Sequence, residues 1–322
     1  MSESFLFVLF GVIVLIMLII DLGVFNKQAH KVTNREALIW SIVWILVALA
    51  FSVFIYYYYG SAKTSEYLAA YLIERSLSID NLFVFILIFR FFAVPEKYHH
   101  RVLFWGIGGA IVLRALFIFS GVWLIQLTYL PPFELFGREV HFNFVLALFG
   151  LFLVWAGIKS INAEDDDQDF SQNIGVKLVR KFFPVTPEYR GGKFFVKELG
   201  KTLATPLLLV VAVIEVTDVL FAVDSIPAIF AVSKDPIILY TSNIFAILGL
   251  RALYFLLANF MDYFVYLKYG LAFILSFIGV KMLIADFVHI SSTLSLLIIA
   301  AALTIAIVTS LVWGKKASQS EA

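Results

Sequence analysis

Residues 215–232 read EVTDVLFAVDSIPAIFAV. The stretch is apolar enough to cross a membrane, yet it carries Glu215, Asp218 and Asp224, with Pro227 close behind. Its meaning depends on the chain around it. That chain is 62% hydrophobic and 15% charged, with a mean hydropathy of +0.96, whereas soluble domains are about 25% charged. A soluble fold would need polar helix faces to cover its core, and the long apolar runs supply none. The chain is read as an all-α polytopic membrane protein.

Nine segments are long enough to cross a hydrocarbon core of about 30 Å. They run over 5–25, 37–58, 67–91, 102–125, 141–161, 203–232, 238–260, 265–286 and 293–313. The first lacks a basic leader and a small-residue cleavage site, so it reads as a retained helix. With the N-terminus outside, the inner loops collect Lys27, Lys31, Arg35, Arg90, Lys97, Arg101 and the cations of 162–202, and the tail adds Lys315 and Lys316. The outer side receives Lys63, Arg138 and Lys234. Basic residues gather on the cytoplasmic side, so the expected orientation is N-out and C-in. The chain has no cysteine, which removes disulfides and thiolate sites. A net charge of +1 gives no case for nucleic acid.

The unusual residues recur. Glu74 precedes Asp80-Asn81 in ERSLSIDN, and Asp218 precedes Asp224-Ser225 in DVLFAVDS, with the same spacing between acids. Each pair is followed by an arginine helix, IVLRALF at 111–117 and LGLRALY at 248–254, aligning Arg114 with Arg251. WAGIKSI at 155–161 and FIGVKML at 277–283 then align Lys159 with Lys281. Two copies of a three-helix unit are inferred, repeat A over 67–161 and repeat B over 203–286. The span count gives them opposite orientation, a plan that places a transport site near the midplane. The division is one membrane domain over 1–322, with N-terminal helices in 5–58, a cytoplasmic linker loop over 162–202 and a C-terminal helix over 293–313. The linker's acidic run EDDDQD at 164–169 reads as solvated loop or as a gatherer of cations.

A buried carboxylate costs several kcal/mol unless it finds a partner or water. Glu74, Ser78 and Asn81 share one helix face, as do Asp218 and Ser225. If the faces meet, they offer up to five carboxylates, from Glu74, Asp80, Glu215, Asp218 and Asp224, with Asn81 and Ser225 beside them. Such oxygen-only sets suit hard divalent cations such as Mn2+, Mg2+ and Ca2+. A proton relay or a packing network of ion pairs with the arginines uses the same residues. Lys159 and Lys281 either pair or reach an interface. Pro227 suggests a kink or break that frees carbonyls beside Asp224. Asn243 is a neutral ligand or a helix–helix hydrogen bond, Asp21 faces the inner interface or the bundle, and His99-His100 read as surface residues.

At these residues the chain resembles the TerC family of integral membrane proteins. The resemblance is carried by IERSLSIDN at 73–81, IEVTDVLFAVDSIPAIFAV at 214–232, TSNIFAILGLRALYFLLA at 241–258 and GLAFILSFIGVKMLIAD at 270–286. It extends over most of 10–313 and looks closest to the Alx branch. It implies a bacterial inner-membrane protein of metal-ion homeostasis, above all manganese export, with the family's acids on Glu74, Asp80, Asp218 and Asp224. The expected cargo is Mn2+, with no tightly bound cofactor, protons and the lipid bilayer as further partners, and no assigned protein partner. A sensor or assembly protein without net flux is the alternative. No enzymatic activity is expected: an aspartyl protease would share the paired acids, but the glycine–aspartate motif is missing, and no nucleotide motif appears.

Overall fold

The computed structural model describes residues 3–25, 33–131, 133–135, 138–140, 142–161, 169–198, 200–258, 266–285, 287–288 and 290–318. The helices are α1 (Glu3–Phe25), α2 (Asn34–Phe91), α3 (Glu96–Leu127), α4 (Phe144–Ile161), α5 (Ile174–Phe182) and α6 (Pro206–Phe230). They continue with α7 (Pro236–Leu248), α8 (Leu250–Leu257), α9 (Leu267–Leu283) and α10 (Ser292–Ser318). Two short hairpins complete the described elements, β1 (Phe133–Leu135) with β2 (Arg138–Val140), and β3 (Phe195–Glu198) with β4 (Lys201–Ala204). Among the described residues, six helical stretches are long and apolar enough to cross a membrane by length and composition. The fold class is an all-α polytopic membrane protein. All nine apolar segments named above are helical along most of their length.

The longest of these stretches, α2, contains 58 residues and turns at Gly60, where φ is +81°. Only glycine takes that conformation without strain. Tyr56, Tyr57 and Tyr58 are exposed just before the bend, in the manner of residues that settle at a membrane interface. The bend separates the two legs expected over 37–58 and 67–91.

Where helices start, local chemistry explains it. Thr33 caps α2 by accepting from the Glu36 amide. Asp235 accepts from the amides of Ile237 and Ile238, and Pro236 fills the first turn of α7. Asn143 accepts from Leu146 N–H to open α4 and donates to the Ile125 carbonyl at 2.7 Å, tying it to the end of α3.

Two expectations about helix breaks change. α6 runs unbroken through Pro227. The proline sits in the last turn, so its missing N–H interrupts only the end of the ladder. The break falls instead at Gly249, which divides the segment expected over 238–260 into α7 and α8. A Cβ there would lie 2.7 Å from Arg75 Nη1 and 3.1 Å from Trp44 Cβ. Arg75 Nη1 donates to the Ala246 carbonyl at 3.0 Å, so a side chain from α2 serves a carbonyl just before the break.

The helices pair with definite directions. The second leg of α2 runs antiparallel to α6: Ser233 meets Glu66 at one end, and Phe221 meets Phe85 toward the other. α3 runs parallel to α6, with Gly106 against Ile214 and Gly121 against Phe230. α2 runs parallel to α7, from Lys63 and Asp235 to Arg75 and Ala246. α4 and α9 are antiparallel and almost touch: a Cβ at Gly279 would stand 2.7 Å from the Gly150 carbonyl, and one at Gly157 2.7 Å from the Ala272 carbonyl. In the register that aligns Lys159 with Lys281, these two contacts exchange with one another.

The linker is more structured than a loop. It holds a 3-10 turn over Phe170–Gln172, then α5 and the β3–β4 hairpin. Asp169 caps the turn through Ser171 N–H, and hydrogen bonds from the Ser171 hydroxyl and amide hold its carboxyl below the usual range. The rest of the acidic run, 164–168, lies outside the described residues.

Candidate functional site

α2 carries Glu74, Ser78 and Asn81 on one buried face, and α6 carries Asp218 and Ser225, also buried. Between them α3 inserts Arg114, whose exposure is 0%. Its Nη1 donates to Glu74 Oε1. Its Nη2 donates to Asp218 Oδ1 at 3.1 Å, and its Nε to Asp218 Oδ2 at 3.4 Å. The planar guanidinium fork suits two carboxylates at once. The Ser225 hydroxyl and the Asn243 amide oxygen stand 3.5 Å from Nη1, at the outer limit of hydrogen bonding. The Ser78 hydroxyl donates to Glu74 Oε1 at 3.4 Å, as the i, i+4 spacing requires.

One guanidinium against two carboxylates leaves one negative charge when all three are ionised. Hydrogen-bonding capacity is also left over. Glu74 Oε2, Asn81 Nδ2, Asn243 Nδ2 and Glu215 Oε2 are buried without a hydrogen-bond partner among the described residues. Buried polar atoms are normally satisfied, so these four atoms retain capacity for a further polar partner. A small cavity of ≈ 20 Å³ beside Asp218, walled by Ile214, Gly106 and Arg251, holds a group no larger than a water.

The seven sequence-derived site residues separate accordingly. Glu74, Asp218 and Ser225 converge on Arg114, and Asn81 lies on the face of Glu74. Glu215 stands apart, against α3, where a Cβ at Gly109 would overlap its carboxylate. Asp80 and Asp224 lie within α2 and α6, and their side chains are outside the described residues, as is that of Asp21. Among the described residues no three Asp, Glu or His side chains group as a metal cluster. The sequence offers Arg114 and Arg251 alike as partners for the acids in an ion-pair network, and the structure puts Arg114 between Glu74 and Asp218. The signal for such a pairing is charge balance, since buried acids on two helices need a cation; spacing alone does not choose Arg114 over Arg251.

A second polar cluster lies at the end of the bundle near Gly60. A cavity of ≈ 670 Å³ there is lined by Lys63, Glu66, Ser233, Asp235 and Lys281. Lys63 Nζ sits 2.8 Å from Glu66 and 3.5 Å from Asp235, and Ser233 donates to Glu66 at 2.6 Å. Lys281 is buried in this wall. Its repeat counterpart Lys159 is exposed and lies 4.8 Å over the Trp155 ring. The aligned lysines thus have different environments.

At the opposite end, His99 is half-buried and partnered rather than freely exposed. It belongs to the first turn of α3 and stacks on Phe89 with centroids 4.3 Å apart. One ring nitrogen donates to the Val94 carbonyl, and the other accepts from Tyr254 in that tautomer. The helix starts earlier than the apolar run suggests, because Pro95 and Glu96 favour a helical first turn.

A family model described as integral membrane protein TerC family matches residues 59–320. The match begins at the Gly60 bend, leaving α1 and the first leg of α2 before it. A Myxococcus xanthus protein, "Uncharacterized membrane protein STKORF319", is 43% identical over 309 residues, covering 96% of this chain and 92% of that one. "Putative membrane-bound redox modulator Alx" of Photorhabdus laumondii is 41% identical over 321 residues, 97% and 96% of the two chains. Its Escherichia coli K12 namesake is 44% identical over 296 residues, 89% and 88% of the two chains. No solved structure matches the chain.

Proposed function

We propose that this chain, which belongs to the integral membrane protein TerC family, is a secondary transporter that exports divalent cations, foremost Mn2+. Its place would be the bacterial cytoplasmic membrane, N-terminus outside and C-terminus inside. The observation that carries the reading is the convergence of Glu74 and Asp218 on Arg114 from two antiparallel helices, both acids fully or almost fully buried. An apolar bundle has no need of two buried carboxylates for packing, and they cost free energy there. In this reading Arg114 is a built-in cation that offsets one of the two negative charges between transport events. An arriving divalent ion competes for them, with Asp80 and Asp224 as central ligands. Asn81, Ser225 and Glu215 supply further oxygens or take up a proton. The cavity by Lys63 and Glu66 is then the outer vestibule, and the two three-helix units rock about the α4–α9 contact. The reading is one of transport, not catalysis, with proton exchange as the coupling.

One observation favours a second reading. Arg114 already occupies the space between Glu74 and Asp218, as a fixed structural network would. A metal-sensing or assembly protein without net flux would use it so.

Mn2+ flux into proteoliposomes separates the two. Wild type is compared with Asp80→Asn, Asp224→Asn and Glu74→Gln, each checked for normal unfolding behaviour. Export requires flux in wild type and its loss in both aspartate variants. No flux in wild type, with Mn2+ binding retained, refutes export and supports sensing. Transport that ignores an imposed pH gradient refutes proton exchange.

A further inference from the structure

We infer that α5 is an interfacial helix that docks on an anionic lipid surface. At about 100° per residue, its side chains divide into three sectors. Gly175, Val176 and Val179 form the first and are buried. The second holds Ile174, Leu178 and Phe182 at i, i+4 and i+8, exposed by 66%, 52% and 66%. The third holds Lys177, Arg180 and Lys181, all exposed. A helix with one face on protein, one apolar face uncovered and one basic face matches the boundary where bundle, acyl chains and headgroups meet.

Its depth supports that occupant. A Cβ at Gly175 would lie 2.5 Å from the Ala212 carbonyl of α6. Ala212 is six residues beyond Pro206, where α6 begins, or roughly 9 Å along the axis at 1.5 Å per residue. The start of α5 therefore lies alongside a membrane-spanning helix, not beyond its end. Aromatic residues with cations mark the same level, as at membrane interfaces. Trp105 packs edge-on to Phe194, and Arg101 lies 5.3 Å over that ring. The hairpin's own acid Glu198 is engaged by Arg190 at 3.5 Å, so it does not cancel the basic sector. Lipid phosphates are the complementary charge. A second copy of the chain would have to cover apolar and basic sectors together, and nothing on those faces is acidic.

The test does not depend on the transport reading. Because the chain has no cysteine, single-cysteine variants take one label each. Leu178→Cys and Lys201→Cys, the latter on exposed β4, are labelled with a fluorophore in the full-length protein. They are reconstituted in phosphatidylcholine vesicles with and without phosphatidylglycerol. Lipid-borne nitroxide near the headgroup should quench the label at 178 several-fold more than that at 201, and aqueous iodide should do the reverse. Phosphatidylglycerol should increase the lipid quenching at 178. Lys177→Gln, Arg180→Gln and Lys181→Gln together should abolish that increase. Equal iodide access at 178 and 201 overturns the proposal. So does a label at 178 shielded from both quenchers, which would indicate a protein partner. A phosphatidylglycerol effect unchanged in the triple variant refutes the basic sector as its reader.

Discussion

Replacing Arg114 by methionine tests the energetics of the core most directly. Methionine approximates the volume but leaves Glu74 and Asp218 facing each other without a cation. Both acids are almost wholly buried, so water cannot compensate. Breaking a buried ion pair from one side costs about 3–5 kcal/mol. At 1.36 kcal/mol per tenfold, that is roughly two to four powers of ten in the folding equilibrium. The loss arises from stranded charge, not from missing packing, so a second substitution should repair it. Adding Glu74→Gln and Asp218→Asn to Arg114→Met should recover most of the stability. Reversible unfolding in mixed micelles, followed by tryptophan fluorescence, measures both steps. If Arg114→Met is as stable as wild type, or the neutralising substitutions lower stability further, the charge account of the core is wrong.

Gly157→Ala places a methyl 2.7 Å from the Ala272 carbonyl and should destabilise the protein by about 1–3 kcal/mol through overpacking, read in the same unfolding assay. Gly249→Ala should displace Arg75 from the Ala246 carbonyl and lower stability, whereas Gly249→Ala combined with Arg75→Ala should lose less than the two single changes added; additive losses would show that the two do not communicate. Tyr189 donates to the Phe92 carbonyl at 2.7 Å, and burial pushes its phenol up to about 12. The folded state then holds that proton more tightly than the unfolded chain. The stability it contributes is complete below the ordinary tyrosine value of about 10 and is lost as pH rises through 12. The difference in phenolate absorbance between wild type and Tyr189→Phe measures this, and titration near the ordinary value would contradict the docked loop.

Much of the architecture is written locally. Apolar runs of span length produce helices wherever lipid offers no other partner for the backbone, so the positions of the segments could be read off directly. The face shared by Glu74, Ser78 and Asn81 follows from helical spacing alone. What spacing does not contain is which residue of α3 fits between α2 and α6. Arg114 and Arg251 look equivalent in their own helices, yet only Arg114 bridges Glu74 and Asp218. The break in the second copy is similar. Pro227 advertises a distortion that its place in a last turn makes harmless. Gly249 must lack a side chain because Arg75, far away in sequence, approaches it. His99 illustrates the same limit, since its stacking on Phe89 depends on the elbow at Pro95.

The burial of α7 bears on how the protein is made. Nearly every residue of this helix is covered, and it carries Thr241, Ser242 and Asn243 at its middle. Among the described residues, the partners of its middle come earlier in the chain: Phe245 packs on Phe10 and Phe51, Ala246 accepts from Arg75, and Asn243 accepts from Arg114. A ribosome therefore delivers α7 after the walls of its cleft have been synthesised. The helix can leave the insertion machinery directly into a prepared slot, without its polar middle waiting in lipid. Truncation before Pro236 would leave that slot open, and nascent chains ending there should be the most readily degraded intermediates of biogenesis.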